Sequence, residues 1–369
     1  MENSRYVTQN KNLIFCAVTI ILLWPFFVAG YSDKTTHPAL TDETVDFFNL
    51  HYSQLKINDA EKEIVKSGAI FEDESARFMQ HFYDPVYNRG LTNTVGGKWL
   101  SSKNWAQNVK AQAGLAAITA GSITSLFSAA TDFTWQRAIY DYVWEDKNRG
   151  LRGLGQVLHL IQDASVPDHT RNDPHPPVLD MGSPYESWTA KFDDKNIDTL
   201  AKVKSSKPII FADLDSYFDS MADYSNNNFF SRDTIFYYEY SEPQIIYEKK
   251  EILSDGSKIT FGFNFDGRGD FRLVGKSAKS SWVELLDSDK DDEFFILDTD
   301  HKILTDYWDR LSKQAVLHGA GVIKLFFDEV EKEKQTKYLY NKNKSWFARA
   351  WDWTSGWFGG GDDQTASIL

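Results

Sequence analysis

The chain has 369 residues, 42% hydrophobic and 15% aromatic, and a formal net charge of −13. That apolar content excludes intrinsic disorder and suffices for one large or two ordinary hydrophobic cores. The balance of 53 acidic against 40 basic residues argues against a protein that grips duplex nucleic acid by its phosphates. It leaves open the cutting of nucleic acid at a metal site, where bound cations reset the local field.

Residues 1–12 are polar and carry Arg5 and Lys11, whereas 13–29, LIFCAVTIILLWPFFVA, are apolar and uncharged. Val28 and Gly30 stand at the −3 and −1 positions of a cleavage before Tyr31, so 1–30 reads as a signal peptide. A retained signal anchor is the rival, since the apolar run is just long enough to span a bilayer. Pro25 and the abrupt switch to YSDKTTH favour cleavage. The single cysteine, Cys16, leaves with this segment. A secreted or periplasmic chain of this kind relies on its core, or on metal, rather than on disulfides.

From Asp42 to about Lys204 the periodicity is helical. TDETVDFFNLHYSQL offers Thr41 as a cap, with Val45, Phe48 and Leu55 as its apolar residues. DAEKEIVKSGAI, SSKNWAQNVKAQAGLAAI and the long SITSLFSAATDFTWQRAIYDYVW continue in the same style. In RGLRGLGQVLHLIQDA, residues Leu151, Leu154, Leu158 and Ile161 form one stripe, the pattern of a helix packed into a bundle. VPDHTRNDPHPP, at 166–177, is punctuated by prolines and reads as a loop without helix.

Composition changes near residue 230. TIFYYEY, QIIYEKKEIL, KITFGFNF and EFFILDT are β-branched and aromatic, with the turn signals SDGS and DGRGD between them. The expectation is a helical catalytic domain over 31–230 and a β-rich insertion over 231–300. A returning helix then covers 301–335, and a Trp-rich, then Gly-rich, tail covers 336–369.

Histidine is scarce, eight in the whole chain, so its placement is informative. His159 and Asp163 lie one turn apart on one helix face, the spacing needed to hold a single cation. Neutral imidazole with carboxylate suits zinc, and His169 on the following loop lets the segment serve two ions. By itself an H-x-x-x-D pair better fits a plain hydrogen bond on a helix face; it is the combination with the other histidines that favours a metal.

GLGQVLHLIQDASVPDH, with its His, three residues, Asp, five residues, His, resembles the central signature of the bacterial zinc-dependent phospholipase C family. HFYDP at His81–Pro85 is similar to the second signature and follows a Gly-x-x-x-x-Asp, here Gly68 to Asp73. His37 resembles the first histidine of that family. The resemblance covers roughly 31–230 and the last long helix. It implies a mainly α fold, a multi-helix phospholipase C/nuclease-like bundle holding two to three zinc ions in one cleft. By that analogy His81, His159 and Asp163 bind one zinc, with Asp73 beside it as ligand or general base. His37, a bridging Asp163 and the amine and carbonyl of Tyr31 at the mature terminus bind another, although the family more often begins with Trp. His169 and Glu186 belong to a third.

Here the chain departs from the pattern, because Gly182 stands where the family has a histidine. His175, Asp173 or Asp180 are candidate substitutes. Glu186 also fits a capping box, Ser183-Pro184-Tyr185-Glu186, that needs no metal. The implied reaction is hydrolysis of a phospholipid phosphodiester by zinc-activated water, releasing a phosphorylated head group. A single-strand nuclease of the same fold and a non-catalytic, metal-stabilised, membrane-associated binding protein are the alternatives.

Two further signals are weaker. Asp287, Asp289, Asp291 and Asp298 fall at positions 1, 3, 5 and 12 of a calcium loop, but Asp292 replaces its glycine and Asp298 its glutamate. With those two mismatches, a solvated turn explains the run better than calcium does. Trp346, Trp353 and Trp357 near one helical face fit a phospholipid membrane surface or a helix packed on the body of the protein.

Overall fold

The computed structural model describes residues 31–92, 98–120, 131–174, 182–277 and 294–343. Residues 1–30, which the sequence reads as a signal peptide, His175, Asp180, the acidic run at 287–292 and the tryptophans of the tail lie outside them. Among the described residues the protein is mainly α with one small antiparallel sheet. No described helix is long and apolar enough to cross a membrane.

The helices in chain order are α1 (Thr36–His51), α2 (Asp59–Phe71), α3 (Ser102–Trp105), α4 (Val109–Ala120), α5 (Trp135–Trp144) and α6 (Lys147–Asp163). There follow α7 (Pro167–Thr170), α8 (Pro184–Thr189), α9 (Thr199–Val203), α10 (Leu214–Asn228) and the long α11 (Lys302–Thr336). The axis of the bundle is α6. Asp146 caps it, accepting from the N–H groups of Asn148 and Arg149, and every residue from Leu151 to Asp163 but Arg152 is buried. It packs chiefly on α2 and α5, with α1 and α11 on its remaining sides.

Glycine makes the α2–α6 crossing close. A Cβ at Gly155 would stand 1.9 Å from the carbonyl oxygen of Val65, and one at Gly68 would stand 2.1 Å from that of Arg152. Any side chain at either position forces the helices apart. The close crossing sets the chain that follows α2 against the C-terminal half of α6.

The strands β1 (Tyr247–Ile252), β2 (Lys258–Phe265), β3 (Asp270–Ser277) and β4 (Phe294–Phe295) pair in chain order, all antiparallel. Tyr247 opposes Phe263 and Ile259 opposes Ser277, with a bulge at Gly262/Phe263. The sheet lies against α11 through β3, and Phe261, Phe271, Leu273 and Val274 join the same apolar core as the bundle.

Several sequence expectations are corrected. Helix α1 begins at Thr36, so Thr41 is an interior residue rather than a cap. Pro38 is tolerated there because a first turn has no N–H bonds to lose. The 102–120 stretch breaks between Trp105 and Val109. Of the long run 122–144, residues 122–130 lie outside the described residues, and among 131–144 the helix begins at Trp135. Just before it, Asp132 Oδ1 accepts from both the N–H and the hydroxyl of Thr134. Within the proline segment Pro167–Thr170 forms one helical turn, with Pro167 at the first position, where proline is favoured.

TIFYYEY forms no strand. Phe236 has φ 55° and its ring packs edge-on against Phe230 and Phe294, so its aromatics anchor a turn. Of EFFILDT, only Phe294–Phe295 pairs among the described residues. Asp298 instead accepts from the N–H groups of Asp300, Lys302 and Ile303 at 3.0–3.1 Å and so opens α11.

Glu43 on α1 holds α9 in place by accepting from Leu200 N–H at 2.9 Å. Burial, then the charges of Asp198 and Asp42, raise its pKa from 4.5 to about 7, against the pull of the Leu200 and Thr199 N–H groups. A folded-state pKa above the unfolded one means a contribution complete below about pH 4.5 and lost as pH rises through about 7. Glu43→Gln is expected to flatten that part of the stability profile. Urea melts at about pH 5 and about pH 8 test this; a difference as large as in the parent overturns it.

Candidate metal centre

Four imidazoles and three carboxylates converge in one buried place. On α6 the one-turn spacing aims His159 and Asp163 the same way, and His159 Nε2 lies 3.1 Å from Asp163 Oδ2. His81, at the end of the 3-10 turn Ser75–Gln80, sets Nδ1 3.0 Å from the same oxygen and 3.3 Å from His159 Nε2. Asp73, just beyond α2, reaches both rings: Oδ1 is 3.5 Å from His81 Nδ1 and 3.6 Å from His159 Nε2.

The other Asp163 oxygen serves a second pair. His37 in the first turn of α1 places Nε2 3.3 Å from Oδ1 and stacks on His159 at 3.6 Å between ring centroids. His169 on α7 places Nδ1 3.6 Å from Oδ1 and Nε2 3.1 Å from Glu186 Oε1 on α8. Its ring is stacked on Phe82. One carboxylate is thus shared by two groups of ligand atoms.

Outer hydrogen bonds fix which nitrogens are free. His159 Nδ1 must donate to the Ala69 carbonyl oxygen, 2.7 Å away, which leaves Nε2 with its lone pair. Gln162 donates its amide to Thr41 Oγ1, so its oxygen accepts from His37 Nδ1 at 2.6 Å and His37 Nε2 is left bare. This is how a polypeptide orients imidazoles for a metal.

Six atoms at this centre are buried without a hydrogen-bond partner: His37 Nε2, His169 Nδ1 and both oxygens of Asp73 and of Asp163. Leaving so many polar atoms unsatisfied is costly in a fold, and a divalent cation satisfies them together. The electrostatics agree. Burial, then the charge on His37, lowers His159 to about 3, so it is neutral at physiological pH. Burial raises Asp163, but His159, His169 and His81 outweigh it and hold the carboxyl well below its ordinary range. Burial and the charges of Asp163, Asp33, Glu72 and Glu186 push Asp73 well above its own. Asp163 and Glu186 raise His169 against the effect of its burial, so a cation there displaces a proton. Neutral His159 beside crowded carboxylates forms a donor set, and the N/O mixture fits zinc.

Of the residues singled out from sequence, His37, Asp73, His81, His159, Asp163, His169 and Glu186 meet here. Tyr31 borders them, with its ring edge-on to His37 at 5.6 Å and its hydroxyl bonded to Ser165 and Tyr185. Glu186 is both cap and neighbour of the cluster: its N–H donates to Ser183 Oγ while its carboxylate meets His169. Gly182 has φ 75°, a left-handed conformation that disfavours a side chain. Asp173 accepts from Asp233 N–H. Gln162, Phe82 and Glu72 support the site and carry no spacing signature; the one signal was that Gln162 and Glu72 each directly precede a candidate ligand.

No protein-family model matches the chain, and no curated protein matches it. The arrangement of its own residues therefore carries the functional reading.

Proposed function

We propose that the protein is an exported, zinc-dependent hydrolase of phospholipid phosphodiesters, of the phospholipase C type, built on the helical bundle of that family. The observation that carries this reading is Asp163, one buried carboxylate presenting a separate oxygen to each of two imidazole pairs. Bound zinc supplies a Lewis acid for phosphoryl oxygens and lowers the pKa of water toward about 7.

The chain does the rest. Asp163 holds the two ligand groups in register, and the hydrogen bonds from His37 to Gln162 and from His159 to Ala69 stop the rings from turning away. Asp73 is the carboxylate to take a proton from attacking water. It is 8% exposed where Asp163 is 0%, and its raised pKa favours proton uptake. Glu186, 14% exposed, is the most accessible of the clustered side chains, and the phosphodiester would approach beside it.

The test is head-group release from phosphatidylcholine vesicles by the zinc-loaded chain beginning at Tyr31. Phosphorylcholine release is expected, falling at least ~100-fold with a chelator and with His159→Ala. Zinc-loaded protein that releases no head group from any phospholipid class overturns the proposal. Cleavage of single-stranded oligonucleotides in its place assigns the nuclease reaction.

A further inference from the structure

Behind the metal centre lies a second, fully buried polar cluster that the reaction does not use directly. Glu72 is 0% exposed and surrounded by Arg77, Trp105, Gln112 and Gln156, all buried. Its two oxygens have different partners. Oε2 accepts from Arg77 Nε at 2.9 Å and from Arg77 Nη2 at 2.7 Å. Oε1 accepts from Trp105 Nε1 at 2.7 Å, and a carboxylate oxygen has room for a second donor. Arg77 Nη2 also donates to Gln156 and Gln112, so the carboxylate is fixed on its far side.

Facing Oε1, at 3.9 Å, is His81 Nε2, a buried ring nitrogen with no hydrogen-bond partner. Consecutive residues thus straddle one imidazole: Asp73 lies on its Nδ1 side at 3.5 Å and Glu72 on its Nε2 side. His37 and His159 each have an outer acceptor for the nitrogen that turns away from Asp163. His81 lacks one unless Glu72 provides it.

We propose that Glu72 is a positioning residue whose Oε1 accepts the Nε2–H of His81, committing the Nδ1 lone pair to the cation site. The inference rests on the zinc reading above. An ionised acceptor behind a ligating histidine fixes its tautomer and raises its basicity, and losing such a partner costs about 10- to 100-fold in metal affinity. The competing role is that of a counter-ion to Arg77 alone.

Glu72→Leu with Arg77→Met separates the two, because it removes the acceptor oxygens with both buried charges and leaves neither charge stranded. Measured by chelator competition, this double variant is expected to bind zinc about 10- to 100-fold more weakly than the parent while melting near it. In nitrogen NMR of the zinc-loaded parent, His81 is expected to carry its proton on Nε2, shielded from exchange, and that shielding is lost in the variant. Zinc affinity within about twofold of the parent makes Glu72 a counter-ion only and overturns the proposal. Should the double variant not fold, Glu72→Asp keeps the charge but withdraws the oxygen; it too must weaken zinc binding, and unchanged affinity overturns the inference. A parent chain that binds no zinc is a separate result: it removes the zinc reading first, and this inference with it.

Discussion

Stripping zinc with a chelator is expected to lower the Tm by roughly 5 °C. A cation that binds the folded chain and not the unfolded one stabilises by about 4 kcal/mol at a thousandfold excess over Kd. For a chain of this size, at an unfolding entropy of about 2 cal/mol/K per residue, each kcal/mol moves Tm by about 1–2 °C. The basis is the set of six buried, unpartnered donor atoms on His37, Asp73, Asp163 and His169, which no water-filled unfolded chain would have to desolvate. The effect should be greater at about pH 8 than at about pH 6, because the ligating imidazoles must be free of protons. Calorimetry of the same preparation with excess zinc, with chelator, and with zinc restored measures it. A Tm that does not move, in protein whose metal content is zero throughout, refutes the assignment.

What could be seen in the sequence was whatever a regular period exposes. His159 and Asp163 stand four apart on a helix whose stripe of leucines was already plain, so their common direction followed from 3.6 residues per turn. The same logic failed where local chemistry decides the geometry. Thr41 looked like a cap because hydroxyls cap helices, yet α1 starts at Thr36 and Thr41 instead receives a bond from Gln162. The proline segment looked wholly irregular, yet Pro167 starts the turn that brings His169 back toward Asp163. TIFYYEY has strand composition, but Phe236 is left-handed and its half-buried ring packs between Phe230 and Phe294; side-chain packing overrode propensity. Glu72 and Gln162 follow no spacing at all. Their importance comes from what α2, α6 and the chain between them bring together, and tertiary proximity of that kind has no period.

Asp163→Asn is expected to be the most damaging single substitution, lowering turnover at least ~1000-fold and removing most of the bound zinc. The side chain keeps its shape but loses its charge, and one of its two oxygens becomes an amide nitrogen that cannot ligate. Each oxygen serves a different pair, His81 with His159 at 3.0–3.1 Å and His37 with His169 at 3.3–3.6 Å. Whichever way the amide turns, one pair faces a donor in place of an acceptor, and both lose the charge that offsets a cation. Glu186→Gln makes the informative contrast, because Glu186 meets His169 on its Nε2 side, away from Asp163, and is 14% exposed. It should cost one ligand group at most and leave the pair around Asp163 Oδ2 intact. Metal analysis beside vesicle turnover therefore orders the variants: parent, then Glu186→Gln, then Asp163→Asn close to the chelated protein. Parental zinc content and turnover in Asp163→Asn would mean that the carboxylate is a structural partner of four histidines, and the bridging role would be lost.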